Sequence, residues 1–198
     1  MPIDSRRVID TYGTAGAVRV EQWQEMMQYV SPLPLMEQLH QVNHYINDTQ
    51  REMNDIQLWG QEDYWATVVE FIGAGAGDCE DFAIAKYWAL RTLGFDDNDL
   101  RLIYAQVDGL GTYHILLAFY PADGGEPLLL DSLSKVIVPA SERNDIRPVF
   151  SFNIAHIWVN KNRFTAESLR SSEQFSTWQS VLSRQTLKRP LIFIGATS

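Results

Sequence analysis

The segment GAGDCEDFAIAKYWALRTLGF, residues 75–95, contains Cys79, the one cysteine of the chain, at the predicted start of a helix. Asp78 is a favourable N-cap residue, and the glycines before it favour a sharp entry into the helix. The unpaired N–H groups and the positive end of the helix dipole lower a thiol pKa at this position and can stabilise an oxyanion. These features make a nucleophilic thiol as plausible as a small buried core side chain, which is the commoner role of an isolated cysteine.

A nucleophilic thiol needs a base, and the base needs a group that orients it. His114 lies within the strand-like segment TYHILLAFY, residues 112–120, and Asp131 ends the apolar run PLLLD, residues 127–131. A carboxylate at the end of an apolar run is unusual unless it is paired. Taken singly, the histidine could be a satisfied core residue and the aspartate could cap a turn.

A hairpin between these two segments brings the imidazole and the carboxylate together. If Tyr120 lies opposite Pro127, then Leu116 lies opposite Asp131, and His114 is diagonal to Asp131 on the same face. Diagonal neighbours are about 7–8 Å apart at the backbone, within reach of long side chains. Because a shift of one residue would separate the two groups, the prediction depends on this register.

Acidic residues surround the thiol, and they permit two interpretations. Asp78 and Asp81 have the spacing of a capping-box variant, and Glu80 in the first turn suits the helix dipole. Alternatively, carboxylates beside a glycine-rich loop are suitable calcium ligands. Without a cation the acids would raise the Cys79 pKa, whereas a bound divalent cation would reverse the local field.

The other histidines offer little chemistry. His40 and His44 have the i, i+4 spacing of a metal pair, but no third ligand is evident, which favours solvated positions on a helix. His156, beside Trp158, is predicted to pack within a strand. Trp59 is a candidate second oxyanion donor alongside the N–H groups near Cys79.

Composition limits the classes of function. The 198 residues suit a single domain spanning 1–198, and the net charge of -9 argues against non-specific nucleic-acid binding. One cysteine excludes an intrachain disulfide and a multi-cysteine metal site. No apolar run is long enough to insert into a membrane. The first ten residues lack the apolar region of a signal peptide, as expected of either a cytosolic protein or a mature exported one.

The N-terminal half has helical patterns. Apolar residues at helical spacing predict a helix over 20–30, and Pro34 is predicted in the first turn of a second helix with Leu35, Leu39, Val42 and Ile46 on its inner face. A third helix is predicted over 62–72, closed by Gly73, and a fourth runs from Cys79 to Leu93, where Gly94 stops it.

The C-terminal half has strand patterns. Segments 100–107, 112–120 and 127–131, together with VFSFN and HIWV further on, are rich in β-branched, aromatic and aliphatic residues. An amphipathic helix is predicted over 165–185, and the tail PLIFIG is predicted to pack or to join a sheet. Helices followed by antiparallel strands indicate an α+β fold.

With these residues identified, the chain resembles the bacterial transglutaminase-like cysteine proteinases, in particular the LapG-type periplasmic proteases. The resemblance covers about residues 40–160 and rests on DYWATVVEFIGAGAGDCEDFAIAKYWALRTLGF, LRLIYAQV, YHILLAFY, PLLLDSL and RPVFSFN. GAGDCEDFAIAKY is the most specific part. Val68 stands where the family pattern has proline, and Ser132 stands where it has asparagine.

The resemblance implies a papain/transglutaminase-like α+β fold, with N-terminal helices and a catalytic cysteine at a helix N-terminus packed on an antiparallel sheet. It implies a Cys-His-Asp triad in which Cys79 is the nucleophile, His114 the base and later the acid, and Asp131 the orienting group. It also implies Ca²⁺ as cofactor, held by the acids flanking the cysteine, Asp78 and Glu80, with Asp81 as a further possibility.

The expected activity is calcium-dependent cleavage of a large repeat-containing surface adhesin near its N-terminal anchor, at a di-alanine-type site. By resemblance the location is the periplasm, and the expected inhibitor is a membrane-bound cyclic-di-GMP receptor of the LapD type. Two alternatives stay open: transfer of the acyl group to an amine, as in transglutamination, and a non-catalytic calcium-stabilised binding domain.

Overall fold

Helices occupy the first half of the chain and strands most of the second, in agreement with the predicted α+β order. The computed structural model describes residues 5–162 and 164–185. Its α-helices are α1 Ser5–Val30, α2 Leu35–Thr49, α3 Asp55–Trp59, α4 Val68–Ala74, α5 Cys79–Thr92 and α6 Ser176–Arg184. None of the described helices combines the length and apolarity needed to cross a bilayer.

The apolar stripe of the first two helices faces the core. Trp23 and Met27 of α1 are buried, as are Leu39 and Ile46 of α2. Leu35, predicted on the inner face, is 49% exposed, so that prediction was wrong. Leu35 begins α2, and because helical side chains lean toward the N-terminus, its side chain covers surface before the helix.

The third predicted helix, over 62–72, is shorter and begins later. Thr67 and Glu70 form a capping box, in which Thr67 N–H donates to Glu70 Oε2 at 2.7 Å, and this cap starts α4 at Val68. Gly75, at φ 75°, ends the helix in the left-handed conformation, in place of the predicted Gly73. The segment before Thr67 is irregular and carries acidic side chains toward the site described below.

The strands form a seven-stranded antiparallel sheet and a small parallel pair. Their bounds are β1 Arg51–Glu52, β2 Ala76–Gly77, β3 Leu100–Val107, β4 Tyr113–Phe119, β5 Leu128–Leu130, β6 Val138–Pro139, β7 Ile146–Phe152, β8 His156–Asn162 and β9 Thr165–Ser171. The large sheet has the order β6-β5-β4-β3-β7-β8-β9, and β1 pairs with β2. In the hairpin of β4 and β5, Leu117 lies opposite Leu130, which is the predicted register.

The predicted C-terminal helix over 165–185 is wrong in its first part. Residues Thr165–Ser171 form β9 and pair antiparallel with β8, and the helix is confined to Ser176–Arg184. Pairing with an available sheet edge outweighed local helical propensity there. The tail PLIFIG lies outside the described residues.

Two apolar clusters cover the two faces of the sheet. The larger unites the helices with one face and includes Leu102 and Leu117, which pair across β3 and β4. The smaller includes the next pair, Ile103 and Leu116. Because side chains alternate along a strand, adjacent pairs contribute to opposite clusters. The larger cluster thereby packs α5 against β4, since α5 contributes Ile84 to it and β4 contributes Leu117.

Candidate active site

Cys79 lies at the first position of α5, as predicted. Asp78 before it is extended, and the thiol is half-buried. The tight entry requires Gly77, because a Cβ there would lie 2.4 Å from Asp81 Oδ2. The thiol donates to Glu80 Oε2 at 3.2 Å, and the backbone N–H of Ile115 donates to the sulfur. The second contact puts the sulfur beside the residue that follows His114.

His114 and Asp131 form a buried pair. The His114 Nε2 and Asp131 Oδ1 atoms are 2.6 Å apart, and the side chains are 2% and 1% exposed. The register of β4 and β5 produces this contact, since Asp131 directly follows the last residue of β5. The structure therefore brings these two predicted residues together. The role of Cys79 as their nucleophile stays a prediction.

Further contacts hold the carboxylate of Asp131. Leu133 N–H donates to Oδ1 at 3.1 Å, and Arg143 Nη1 donates to Oδ2 at 2.7 Å. Burial alone would raise the pKa of Asp131, but the hydrogen bonds from His114 and Arg143 lower it below its ordinary value. An ionised carboxylate only accepts, so it keeps a proton on His114 Nε2 and leaves Nδ1 as the basic nitrogen.

The surroundings of Cys79 favour the neutral thiol. Burial is the largest cause of its raised pKa, followed by the charge of Glu80, and the Ile115 N–H opposes both. The acids thus raise the pKa of Cys79, as predicted from the sequence, but desolvation of the thiol raises it more.

Acidic side chains from three segments meet beside the thiol. Oxygen atoms of Asp55, Asp63 and Glu80 lie within 4.8 Å of one another, and so do those of Asp55, Asp78 and Asp81. Burial raises the pKa of Asp55 to about 6, and burial together with the charges of Glu80 and Asp81 raises the pKa of Asp78 to about 10. Such mutual repulsion at a buried position indicates a site suited to a cation.

Helix capping does not explain these acids. Asp78 has the N-cap conformation, but its side chain makes no cap hydrogen bond. Asp81 Oδ1 instead accepts from Ala66 N–H at 2.7 Å. Asp55 Oδ1, Asp78 Oδ1 and Asp81 Oδ2 are buried and have no hydrogen-bond partner within the described chain. The capping-box interpretation was therefore wrong, and the oxygen-rich cluster fits a hard cation such as Ca²⁺.

Comparison with known proteins identifies the family. Residues 18–145 match the bacterial transglutaminase-like cysteine proteinases (BTLCP). Legionella pneumophila LapG in EGTA-treated form is 34% identical, with a TM-score of 0.78 over 92% of this chain and 97% of that chain. The chain belongs to the bacterial transglutaminase-like cysteine proteinases. Calcium-bound LapG of the same organism is 36% identical, with a TM-score of 0.76 over 91% of this chain and 96% of that chain. No curated protein matches.

Membership of this family confirms the predicted transglutaminase-like fold. The structure accommodates both departures from the family pattern. Val68 is the first residue of α4, a position where proline is also favourable, and its N–H donates to Gln185 Oε1 at 3.4 Å. Ser132 lies between Asp131 and Leu133, and the N–H of Leu133 donates to the Asp131 carboxylate. The contacts that hold Asp131 are present with serine at this position.

Four residues near the site of this proteinase were missed by sequence reasoning. Asp55 and Asp63 join the acidic cluster, Arg143 bonds Asp131, and Lys86 is a fully buried lysine on α5. A lysine inside the apolar helix AIAKYWAL was a visible signal, because lysine is rarely buried. The two aspartates and the arginine carried no comparable signal, since they lie on polar segments remote in sequence from the residues they join.

The remaining predictions have simple outcomes. His44 Nε2 lies 3.0 Å from Asp48 Oδ2, and within residues 5–162 and 164–185 no three-ligand group includes His40 or His44. The rings of His156 and Trp158 are 5.5 Å apart, in agreement with the predicted packing. Trp59 packs on a tyrosine ring, and its role as an oxyanion donor stays a prediction.

Replacing Lys86 by methionine is expected to stabilise the proteinase near neutral pH. Desolvation lowers the pKa of Lys86 to about 7, against an opposing attraction from Asp131, and Nζ has no partner in the described chain. The unfolded lysine titrates near its ordinary value of 10.5. Between these values the unfolded state binds the extra proton, so wild-type stability rises with pH.

Urea unfolding at pH 7 and at pH 9.5 measures this effect. Lys86→Met should be the more stable protein at pH 7, and its advantage should shrink at pH 9.5. An advantage that does not change with pH would show that the ammonium is not the source of the cost.

Proposed function

We propose that Cys79, His114 and Asp131 form the catalytic triad of a calcium-dependent endopeptidase. One observation carries the proposal: His114 of β4 forms a buried pair with Asp131, and the next residue of β4, Ile115, contacts a cysteine at a helix N-terminus through its N–H. Nucleophile, base and orienting group in this order are the parts that thiol acyl transfer requires.

The proposed reaction is transfer of a peptide acyl group to sulfur and then to water. His114 Nδ1 takes the proton of the thiol, and the sulfur attacks the scissile carbonyl carbon. N–H groups at the start of α5 stabilise the oxyanion. The imidazolium then gives its proton to the leaving amine. In the second half, His114 takes a proton from water, the hydroxide displaces the thiolate, and the thiolate regains that proton.

Calcium is the proposed cofactor, and five carboxylates of this chain fit it. They share a location beside the thiol and several have unpartnered oxygens: Asp55, Asp63, Asp78, Glu80 and Asp81. LapG of Legionella pneumophila has a calcium-bound form, which supports the same ion here. Bound there, the cation would offset the negative charge that favours a neutral thiol.

Removing calcium is expected to lower thermal stability, and Asp55→Asn is expected to abolish that response. Asp55 belongs to both groups of three acids, and Tyr64 N–H donates to its Oδ2 at 2.5 Å. An asparagine oxygen can still accept that bond, so the substitution removes charge rather than structure. At calcium a hundred times Kd, binding should stabilise the folded state by about 2.7 kcal/mol.

Thermal unfolding in calcium and in EGTA, with titration calorimetry, measures this coupling. Asp10→Asn, at an exposed position on α1, is the matched control and should keep the wild-type response. An unchanged melting temperature in rigorously calcium-free buffer, with no heat of calcium binding, would refute the calcium site.

We further propose that the substrate is the N-terminal region of a large repeat-containing surface adhesin, cleaved in the periplasm near its anchor to control biofilm attachment. The proposed inhibitor is a membrane-bound cyclic-di-GMP receptor of the LapD type. The similarity to LapG supports these assignments.

The test is incubation with the N-terminal portion of such an adhesin from the same organism, followed by mass spectrometry. Two fragments whose masses sum to the substrate plus one water are expected in calcium, and none in EGTA. A primary amine is added in parallel. Incorporation of the amine would favour the transglutamination alternative, and an intact substrate in calcium would count against the endopeptidase proposal.

A further inference from the structure

Arg143 connects the site to a second carboxylate that faces solvent. The residue follows the 3-10 turn Ala140–Glu142 and precedes β7, and its side chain is 15% exposed. Its Nε and Nη2 atoms donate to the two oxygens of Asp145, each at 2.9 Å. Its Nη1 donates to Asp131 Oδ2 at 2.7 Å. One edge of the guanidinium is thus occupied by Asp145, and the remaining nitrogen is directed at the site.

This arrangement fixes the plane of the guanidinium. A bidentate pair between arginine and carboxylate holds the planar group in one orientation. With Asp145 on one edge, Nη1 can meet Asp131 in only a narrow range of directions. Asp131 is therefore held at both oxygens, Oδ1 by His114 and Leu133 N–H, and Oδ2 by Arg143.

We propose that Arg143 is a positioning residue for the triad, which holds Asp131 ionised and oriented so that His114 keeps its proton on Nε2 and presents Nδ1 to the sulfur. The inference rests on the proposed function of the triad. Arg143 acts through Asp131, and nothing requires it to touch the substrate.

The other groups around Asp131 do not replace Arg143. Within the described part of the chain, the titratable groups that interact with Asp131 or with its arginine partner, besides His114 on β4, are Lys86 on α5 and Asp145. On α2, Asn47 is neutral, and its amide donates to the Asp131 carbonyl at 2.8 Å. Lys86 loses its charge near neutral pH, whereas the bonds to Asp145 raise the already high pKa of Arg143. Of these groups around Asp131, Arg143 is thus the cation that stays charged on both sides of neutral pH.

The experiment compares Arg143→Gln and Arg143→Lys with Arg147→Gln. Arg147 lies on the adjoining strand β7 and pairs with Asp108 at 2.7 Å on the exposed surface, so it is a matched control. ¹⁵N NMR of the imidazoles, in saturating calcium, identifies which nitrogen of His114 carries the proton, and His114→Gln assigns the signal. Alkylation by iodoacetamide measures thiol reactivity, and the adhesin fragment gives kcat and KM.

In wild type and Arg147→Gln, the NMR signal should show one tautomer with the proton on Nε2. In Arg143→Gln it should show a mixture of tautomers. The alkylation rate of Cys79 and kcat should both fall by about ten- to a hundredfold, by analogy with the loss of an outer-shell partner that orients a metal-binding side chain, with KM unchanged. Arg143→Lys keeps the positive charge but loses the bidentate pair with Asp145. Its tautomer ratio, alkylation rate and kcat should therefore lie between those of wild type and Arg143→Gln.

A wild-type tautomer and alkylation rate in Arg143→Gln would overturn the inference. If Arg143→Gln does not fold, the tautomer ratio of His114 in Arg143→Lys decides instead. An arginine with a purely structural role would leave that ratio at its wild-type value. The NMR readout does not need peptide cleavage. If wild type does not cleave the adhesin, the proposed function fails, while the tautomer result still decides the role of Arg143.

Discussion

Cys79→Ala is expected to lose cleavage of the adhesin fragment by a factor of about 10⁴ or more, because no other thiol can form the acyl-enzyme. The chain has one cysteine, so the substitution removes every candidate thiol nucleophile at once. Stability should change little, since the side chain is only partly buried and alanine suits the first turn of α5. The measurement is the initial rate of cleavage in calcium, with circular dichroism to confirm folding.

The same cysteine gives an unambiguous chemical control. Iodoacetamide can label the chain at one thiol only, and the Cys79 thiol of calcium-loaded wild type is expected to react faster at near-neutral pH than an ordinary exposed thiol. A non-catalytic binding domain predicts a rate no higher than that of a free thiol. Residual cleavage by Cys79→Ala at the wild-type rate would exclude the proposed nucleophile.

Asp131→Asn is expected to lower kcat by about 10⁴-fold, the loss seen when a triad carboxylate becomes an amide and the histidine tautomer is no longer fixed. The amide can donate as well as accept, so it can bond either form of the ring. Because Asp131 is 1% exposed and also pairs with Arg143, the change should cost about 3 kcal/mol of unfolding free energy.

A control must separate lost chemistry from lost stability. Asp108→Asn removes a carboxylate from the exposed pair with Arg147 and should cost about 1 kcal/mol or less, without effect on kcat. Assays of Asp131→Asn are run well below its melting temperature, so that the folded enzyme is compared. An Asp131→Asn enzyme with wild-type kcat would show that the carboxylate only supports the fold.

Local patterns were sufficient for the elements that carry the proposed triad. The glycine-rich entry before Cys79 indicated where α5 begins, and the alternation in the β4 and β5 segments indicated the register that pairs His114 with Asp131. Both depend on short-range rules: a helix start needs extended entry, and side chains in a strand alternate strictly. The resemblance carried by GAGDCEDF agreed with this geometry.

The tertiary structure alone decided the environment of the triad. Asp55 and Asp63 reach the acids of α5 because β1 pairs with β2, which brings α3 and the loop after it alongside the glycine loop. Arg143 reaches Asp131 from the turn before β7. These contacts depend on how distant segments pack, and no local rule of propensity or spacing encodes them.

The acids around Cys79 show most clearly the difference between what local sequence patterns indicate and what tertiary packing decides. In the sequence, Asp78 and Asp81 could be explained by helix capping, because their spacing satisfies that local rule. In the fold, Asp81 turns to Ala66 N–H and Asp78 makes no cap bond, so buried carboxylate oxygens are left without partners. The sequence by itself determined the positions of the thiol, the imidazole and the carboxylate. Only the packing of remote segments decided that the acids form a buried, oxygen-rich cluster suited to a cation, because burial and repulsion arise when the chain closes on itself.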